Sequence, residues 1–126
     1  MSQKLLRVLL IDDEHDIVQV LKAGLRLNGF EVDGFTDPRQ AVEQFHAEAY
    51  DVILSDIRMP GMDGFEVYRR IREKDANIKI YFLSAFDAYE NQVKELFPDQ
   101  SLVEFIRKPI NYKVLAQRLM KDPHLR

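Results

Sequence analysis

Five polar side chains stand where apolar runs of strand length break off. The run Val52-Ile53-Leu54-Ser55 reaches Asp56 and opens into a loop punctuated by Pro60, Gly61 and Gly64. Leu5 to Ile11 closes on Asp12-Asp13, a third run closes on Ser84, and a fourth closes on Lys108-Pro109. A carboxylate at the mouth of a buried strand is costly unless something there uses its charge. Were Asp12, Asp13 and Asp56 to converge, their mutual repulsion would raise their pKa values in the absence of a cation. A hard divalent ion answers this, and Mg²⁺ takes a few carboxylates together with water and phosphate oxygens. On that chemistry Asp13 and Asp56 are expected as direct ligands and Asp12 mainly through water. A carboxylate can also attack a phosphoryl group and carry it as an acyl phosphate.

The elements that must position these groups alternate. Leu5 to Ile11 reads as a strand covered on both faces. From Glu14, Ile17, Val20, Leu21, Gly24 and Leu25 recur at helical spacing until Asn28-Gly29 stops the helix. Glu31 to Phe35 is a short strand. Asp37 caps a second helix with Pro38 in its first turn and Ala41, Val42, Phe45 and Ala49 inward. Val52 to Ser55 is a buried strand, and Asp63 caps a helix from Gly64 to about Lys74 striped by Phe65, Tyr68 and Ile71. Ile78 to Leu83 is a strand, Asp87 to Phe97 a weaker helix with Tyr89, Val93 and Leu96 inward, and Leu102 to Ile106 the last strand. Asn111 caps a final helix with Val114, Leu115 and Leu119 facing the core. Five strand-helix alternations predict a doubly wound α/β fold, a five-stranded parallel sheet covered on both sides. Such sheets bind ligands at the carboxyl ends of their strands, where all five polar groups fall.

The motif Asp56-x-x-Met59-Pro60-x-Met62-Asp63-Gly64, flanked by Asp12-Asp13-Glu14, Ser84 and Lys108-Pro109, resembles the receiver domain of two-component response regulators. The resemblance covers nearly the whole chain. It implies a flavodoxin-like (β/α)5 fold with strand order 2-1-3-4-5, for which a chemotaxis regulator is itself a standard example. It implies phosphorylation of Asp56 by a sensor histidine kinase or phosphotransfer protein, with Mg²⁺ as cofactor. Asp12, Asp13, Asp56 and the backbone carbonyl of Arg58 would hold the metal, while Ser84 and Lys108 would meet the remaining phosphoryl oxygens. The Lys108-Pro109 bond is expected to be cis. Phe105, three residues before Lys108, matches the receivers' aromatic switch, whose ring turns inward and alters a face read by a downstream protein target. The chain would then be a phosphoacceptor switch, or a phosphorelay shuttle, that catalyses only its own phosphorylation and dephosphorylation.

Some features depart from that pattern. The usual Gly-Ala turn before the last strand is replaced by Leu96-Phe97-Pro98-Asp99-Gln100-Ser101, and Pro98 should end the fourth helix. The acidic-aromatic signature of many DNA-binding regulators is missing, so the expected state is a monomer or a phosphorylation-dependent dimer. Phe86 and Arg58 lie two residues beyond Ser84 and Asp56, where receivers admit attacking water, and their bulk implies a long-lived phosphoryl group. His15, His46 and His124 read as surface residues, and Arg69, Arg70 and Arg72 as a solvated helix face.

The bulk numbers agree with this reading. The chain has 126 residues, enough for a single domain over 1–126, and its 46% hydrophobic content supports a core. A net charge of −3 gives no nucleic-acid footprint, and the lack of cysteine excludes disulfides and thiolate metal sites. No apolar run reaches membrane-span length, so a cytoplasmic protein is expected. Two rivals remain. A Mg²⁺-dependent phosphohydrolase with an aspartyl-phosphate intermediate would need a second Asp at position 58, which is Arg. A flavodoxin-like cofactor binder would need a Ser/Thr/Gly phosphate loop where Asp12-Asp13-Glu14 stands.

Overall fold

The computed structural model describes residues 5–85, 89–97 and 99–125. Its strands are β1 (Arg7–Ile11), β2 (Glu31–Phe35), β3 (Val52–Asp56), β4 (Lys79–Ser84) and β5 (Val103–Arg107). Its helices are α1 (His15–Leu27), α2 (Pro38–Gln44), α3 (Gly64–Lys74), α4 (Tyr89–Leu96) and α5 (Tyr112–Lys121). The strands are parallel, as the alternation predicted, and run in the order β2-β1-β3-β4-β5 that the resemblance implied. Every residue of β3 and β4 is buried, as strands covered on both faces must be. No helix among the described residues is long and apolar enough to cross a membrane.

Two cores flank the sheet. On one side Leu9, Ile53 and Phe82 pack with Ala41 of α2 and Tyr68 of α3. On the other, Leu10, Leu54 and Leu83 pack with Leu21 of α1 and Leu115 of α5. The expected caps form: Asp37 accepts from Arg39 N, Asp63 from Glu66 N, and Asn111 from Lys113 N and Val114 N. The Lys108-Pro109 bond is cis.

Three apolar residues expected inward face solvent instead: Val20, Leu96 and Val114 are exposed. In α1 the buried stripe is Val18, Leu21 and Leu25, and at 3.6 residues per turn Val20 lies roughly 120° from its middle. Val93 of α4 and Phe97, just past its end, are buried four residues apart, which turns Leu96 outward; the side chain of Tyr89, also expected inward, falls outside the described residues. In α5 Leu115, Ala116 and Leu119 fill the inner face. The second helix also stops earlier than its apolar spacing suggested. Phe45 is already extended, and Lys74 Nζ donates to the Val42 carbonyl at 2.8 Å, closing the helix end. The expected starts of α4 at Asp87 and its stop at Pro98 fall outside the described residues, as does Phe86.

Gly24 allows α1 and α5 to meet. A Cβ there would lie 2.4 Å from two ring carbons of Tyr112. Gly24→Ala gains helix propensity of about 1 kcal/mol, but overpacking of this kind costs about 1–3 kcal/mol. The variant is expected to unfold at a lower urea concentration than the wild type, against the trend for exposed helical glycines.

Candidate phosphoacceptor and metal site

The site lies at the carboxyl edge of the sheet. β1 delivers Asp12 and Asp13, β3 ends on Asp56, β4 ends on Ser84, and the loop after β5 carries Lys108. Parallel pairing sets their heights: Ile11 aligns with Ser55, Asp56 with Leu83, and Ser84 with Arg107. Lys108 N donates to the Ser84 carbonyl at 2.9 Å, so the ladder continues one step into the site. Ser84 is buried.

The three carboxylates expected to converge do so. Asp12, Asp13 and Asp56 each offer an oxygen within 4.8 Å of the others'. Asp12 is fully buried, Asp56 is 9% exposed, and Asp13 opens to solvent. The Lys108 ammonium sits 3.0 Å from Asp12 Oδ2, 3.4 Å from Asp56 Oδ2 and 3.9 Å from Glu14 Oε1. Asp12 Oδ1 accepts the Glu14 N–H at 2.9 Å, and Asp56 Oδ1 accepts the Ile57 N–H at 2.8 Å. Asp12 Oδ2, despite the nearby charge, has no aligned hydrogen-bond donor among the described residues.

These contacts account for the titration of the site. Burial, and then the Asp12 charge, push the Asp56 carboxyl up to about 6, against the pull of Lys108 and of the Ile57 N–H. Burial opposes the charge on Lys108, but Asp12 and Asp56 outweigh it and hold the ammonium above its usual range. A crowded carboxylate trio with one incompletely satisfied, wholly buried oxygen and one solvent-facing member fits a hard divalent cation. Such an ion must displace the Asp56 proton at low pH. Mg²⁺ is therefore expected to raise Tm more at about pH 8 than at about pH 5, the changeover falling near the Asp56 value of about 6. Calorimetric scans across that range check this.

The remaining sequence-identified positions surround this centre. Arg58 is exposed and lines a groove of about 630 Å³ with Met59, Pro60, Asp63, Phe65 and Gln92. Phe105 is partly buried in β5, its ring 5.9 Å from that of Phe82 and tilted by 39°. Phe82 in turn meets Phe65 edge-on at 5.3 Å and Phe97 at 6.4 Å. The sequence does not show that two backbone N–H groups, of Glu14 and Ile57, orient the carboxylates. Main-chain donors carry no letter of their own; only the turn-forming loops around them hint at their presence.

This fold and this acidic centre define a phosphoacceptor class of signalling domain. The chain belongs to the response regulator receiver domain family, whose pattern matches residues 8–120. It is 41% identical over 114 residues to the transcriptional regulatory protein QseB of Escherichia coli O157:H7, a match covering 90% of this chain and 51% of that protein. It is 35% identical over 114 residues to the sensor protein EvgS of E. coli K12, covering 90% of this chain and 9% of that protein. Among solved structures, Thermotoga maritima TrrA in complex with Mg²⁺-BeF is 32% identical with a TM-score of 0.78, covering 93% of this chain and 98% of that one. Vibrio cholerae CheY4 is 26% identical with a TM-score of 0.79, covering 94% and 98%. The chain spans about half the length of QseB and a small part of EvgS.

Proposed function

We propose that Asp56 accepts a phosphoryl group from a phosphohistidine on a sensor histidine kinase or phosphotransfer protein. An Asp56 carboxylate oxygen attacks phosphorus, the phosphorus–nitrogen bond of the donor breaks, and the imidazole leaves with the bonding pair. The observation that carries this reading is the Asp12, Asp13 and Asp56 trio within 4.8 Å with the Lys108 ammonium against two of its members.

The residues divide the work of stabilising charge, which is most of what phosphoryl transfer asks of a protein. Lys108 neutralises one equatorial oxygen. The Ser84 hydroxyl and backbone N–H groups after Asp56 take another. Asp12, Asp13, Asp56 and the carbonyl of Arg58 are the groups that would hold Mg²⁺. When bound, that ion supplies positive charge to offset the entering phosphoryl group. The product adds roughly −1.5 to −2 charge at neutral pH, and Ser84 moves toward it. Phe105 then turns into the vacated space, biasing a pre-existing two-state equilibrium.

In this reading residues 1–126 act as one receiver domain in the cytoplasm, a switch for a protein target and not a turnover enzyme. QseB is named a transcriptional regulator; whether a longer protein containing this chain binds DNA rests on segments beyond it. A relay role is the second reading, favoured by the match to EvgS, a sensor protein. Position 58 holds Arg where the phosphohydrolase rival needs an acid.

The test is to incubate the protein with Mg²⁺ and a small acyl phosphate, then map the modified peptide. A single phosphoryl adduct on the peptide bearing Asp56, absent with a chelator, is the expected result. An adduct elsewhere, or none, overturns the assignment. Rapid passage of the group to a phosphotransfer histidine separates relay from switch.

A further inference from the structure

Ser55 is completely buried at the end of β3, and the mechanism above leaves its hydroxyl unused. That hydroxyl donates to the backbone carbonyl of the next residue, Asp56, at 2.9 Å. The same carbonyl is pressed against the first residue of α3. A Cβ on Gly64 would lie 2.3 Å from it and 3.1 Å from Ile57 Cα. Gly64 N also donates to the Ile57 carbonyl at 2.8 Å. The peptide joining Asp56 to Ile57 is therefore gripped at its oxygen end by a hydroxyl on one side and a bare Cα on the other.

A peptide unit is planar, so fixing the direction of its C=O fixes the direction of its N–H. The N–H in question is that of Ile57, which holds Asp56 Oδ1 at 2.8 Å. We propose that Ser55 is a positioning residue for the phosphoacceptor: through this one rigid plane its hydroxyl aims the Ile57 N–H and so orients the Asp56 carboxylate. The other oxygen, Oδ2, is left facing the Lys108 ammonium. The bland alternative is a buried serine that has merely found a hydrogen-bond acceptor. The two differ in consequence, because simple satisfaction predicts a change in stability alone.

The inference rests on Asp56 being the acceptor, and its test separates the two claims. Ser55→Ala is compared with wild type for the rate of acyl-phosphate formation at saturating Mg²⁺, for the Mg²⁺ concentration giving half the maximal rate, and for amide hydrogen exchange at Ile57 without metal. Loss of one neutral hydrogen bond predicts a rate at saturating Mg²⁺ lower by about 3- to 10-fold, a half-saturating Mg²⁺ concentration that rises because Asp56 is one of the groups that would hold the ion, and faster exchange at Ile57. Ser55→Thr, which keeps the hydroxyl, should stay near the wild-type rate. Equal rates in Ser55→Ala and wild type, a Thr variant as slow as the Ala variant, or unaltered Ile57 exchange would overturn the proposal. If wild type takes no phosphoryl group at Asp56, the acceptor assignment fails instead, and Ile57 exchange still decides the clamp. Should Ser55→Ala not fold, Ser55→Cys, with its weak thiol donor, takes its place.

Discussion

Asp56→Asn is expected to lose phosphoryl incorporation altogether while raising the Tm of the metal-free protein at neutral pH. The first effect follows from nucleophilicity, since an amide oxygen cannot form the acyl phosphate. The second follows from linkage. The Asp56 carboxyl has an ordinary value of 3.8 and is held at about 6 in the fold. A raised carboxyl pKa means that its contribution to stability is full below the unfolded value and is lost as pH climbs through the folded one. At neutral pH the ionised side chain is therefore a liability, desolvated and facing Asp12. Asparagine keeps an oxygen for the Ile57 N–H and removes the charge, leaving Lys108 to Asp12. Each kcal/mol relieved is worth roughly 4 °C in a domain of this size. The stabilisation should fade at about pH 4–5, where wild-type Asp56 is already protonated. The variant's response to Mg²⁺ should shrink as well. A variant that is still phosphorylated at the same peptide, or one destabilised at neutral pH and not at acid pH, contradicts the account.

Asp122→Ala should be strongly destabilising although it lies away from the site. Asp122 follows α5 and is buried, its Oδ2 accepting from Lys79 Nζ at 2.6 Å and also from the Tyr81 hydroxyl. Its Oδ1 accepts the His124 N–H at 2.9 Å. Burial works against its charge, but the hydrogen bonds from Lys79, Tyr81 and His124 win and hold its carboxyl below the usual range. Lys79 is itself only 7% exposed, and its next acid, Glu104, is 3.9 Å away and engaged by Arg118 at 2.9 Å. Removing Asp122 strands a buried ammonium, a change that costs about 3–5 kcal/mol. Urea unfolding measures it. Adding Lys79→Met to Asp122→Ala should recover much of the loss, because no charge is then left without a partner. The pH dependence has the opposite sign to that of Asp56. A depressed carboxyl pKa contributes stability above the unfolded value of 3.8, and that stability drains away as pH falls through the folded value.

The contrast between these two carboxylates shows what a sequence carries and what it does not. Asp56 is legible because its neighbours in the chain say what it is: an apolar strand before it, a Met-Pro-x-Met-Asp-Gly loop after it. The strand-helix alternation likewise places Asp12, Ser84 and Lys108 on the same edge without any knowledge of contacts. Asp122 has no such context. It reads as a polar residue after a helix, and its partners lie 43 and 41 residues away on β4. Ser55 is hidden for another reason, since its acceptor is a main-chain carbonyl. Val20 and Val114 mislead because hydrophobicity alone does not specify inwardness, whereas the register of each helix is settled by the broader stripe around it. The early end of α2 depends on Lys74, a residue from another helix, reaching over to its last carbonyls.

The family pattern stops at residue 120. The packed core does not, since Leu125 joins the cluster that includes residues of α1 and α5 and Asp122 neutralises Lys79. A polypeptide trimmed at the last matched position would thus keep every group of the proposed phosphoacceptor site and still lose the counter-ion at the opposite end of β4. Excision boundaries for this protein belong beyond Leu125, and a shorter piece that aggregates would be reporting on a missing anchor, not on a defective catalytic edge.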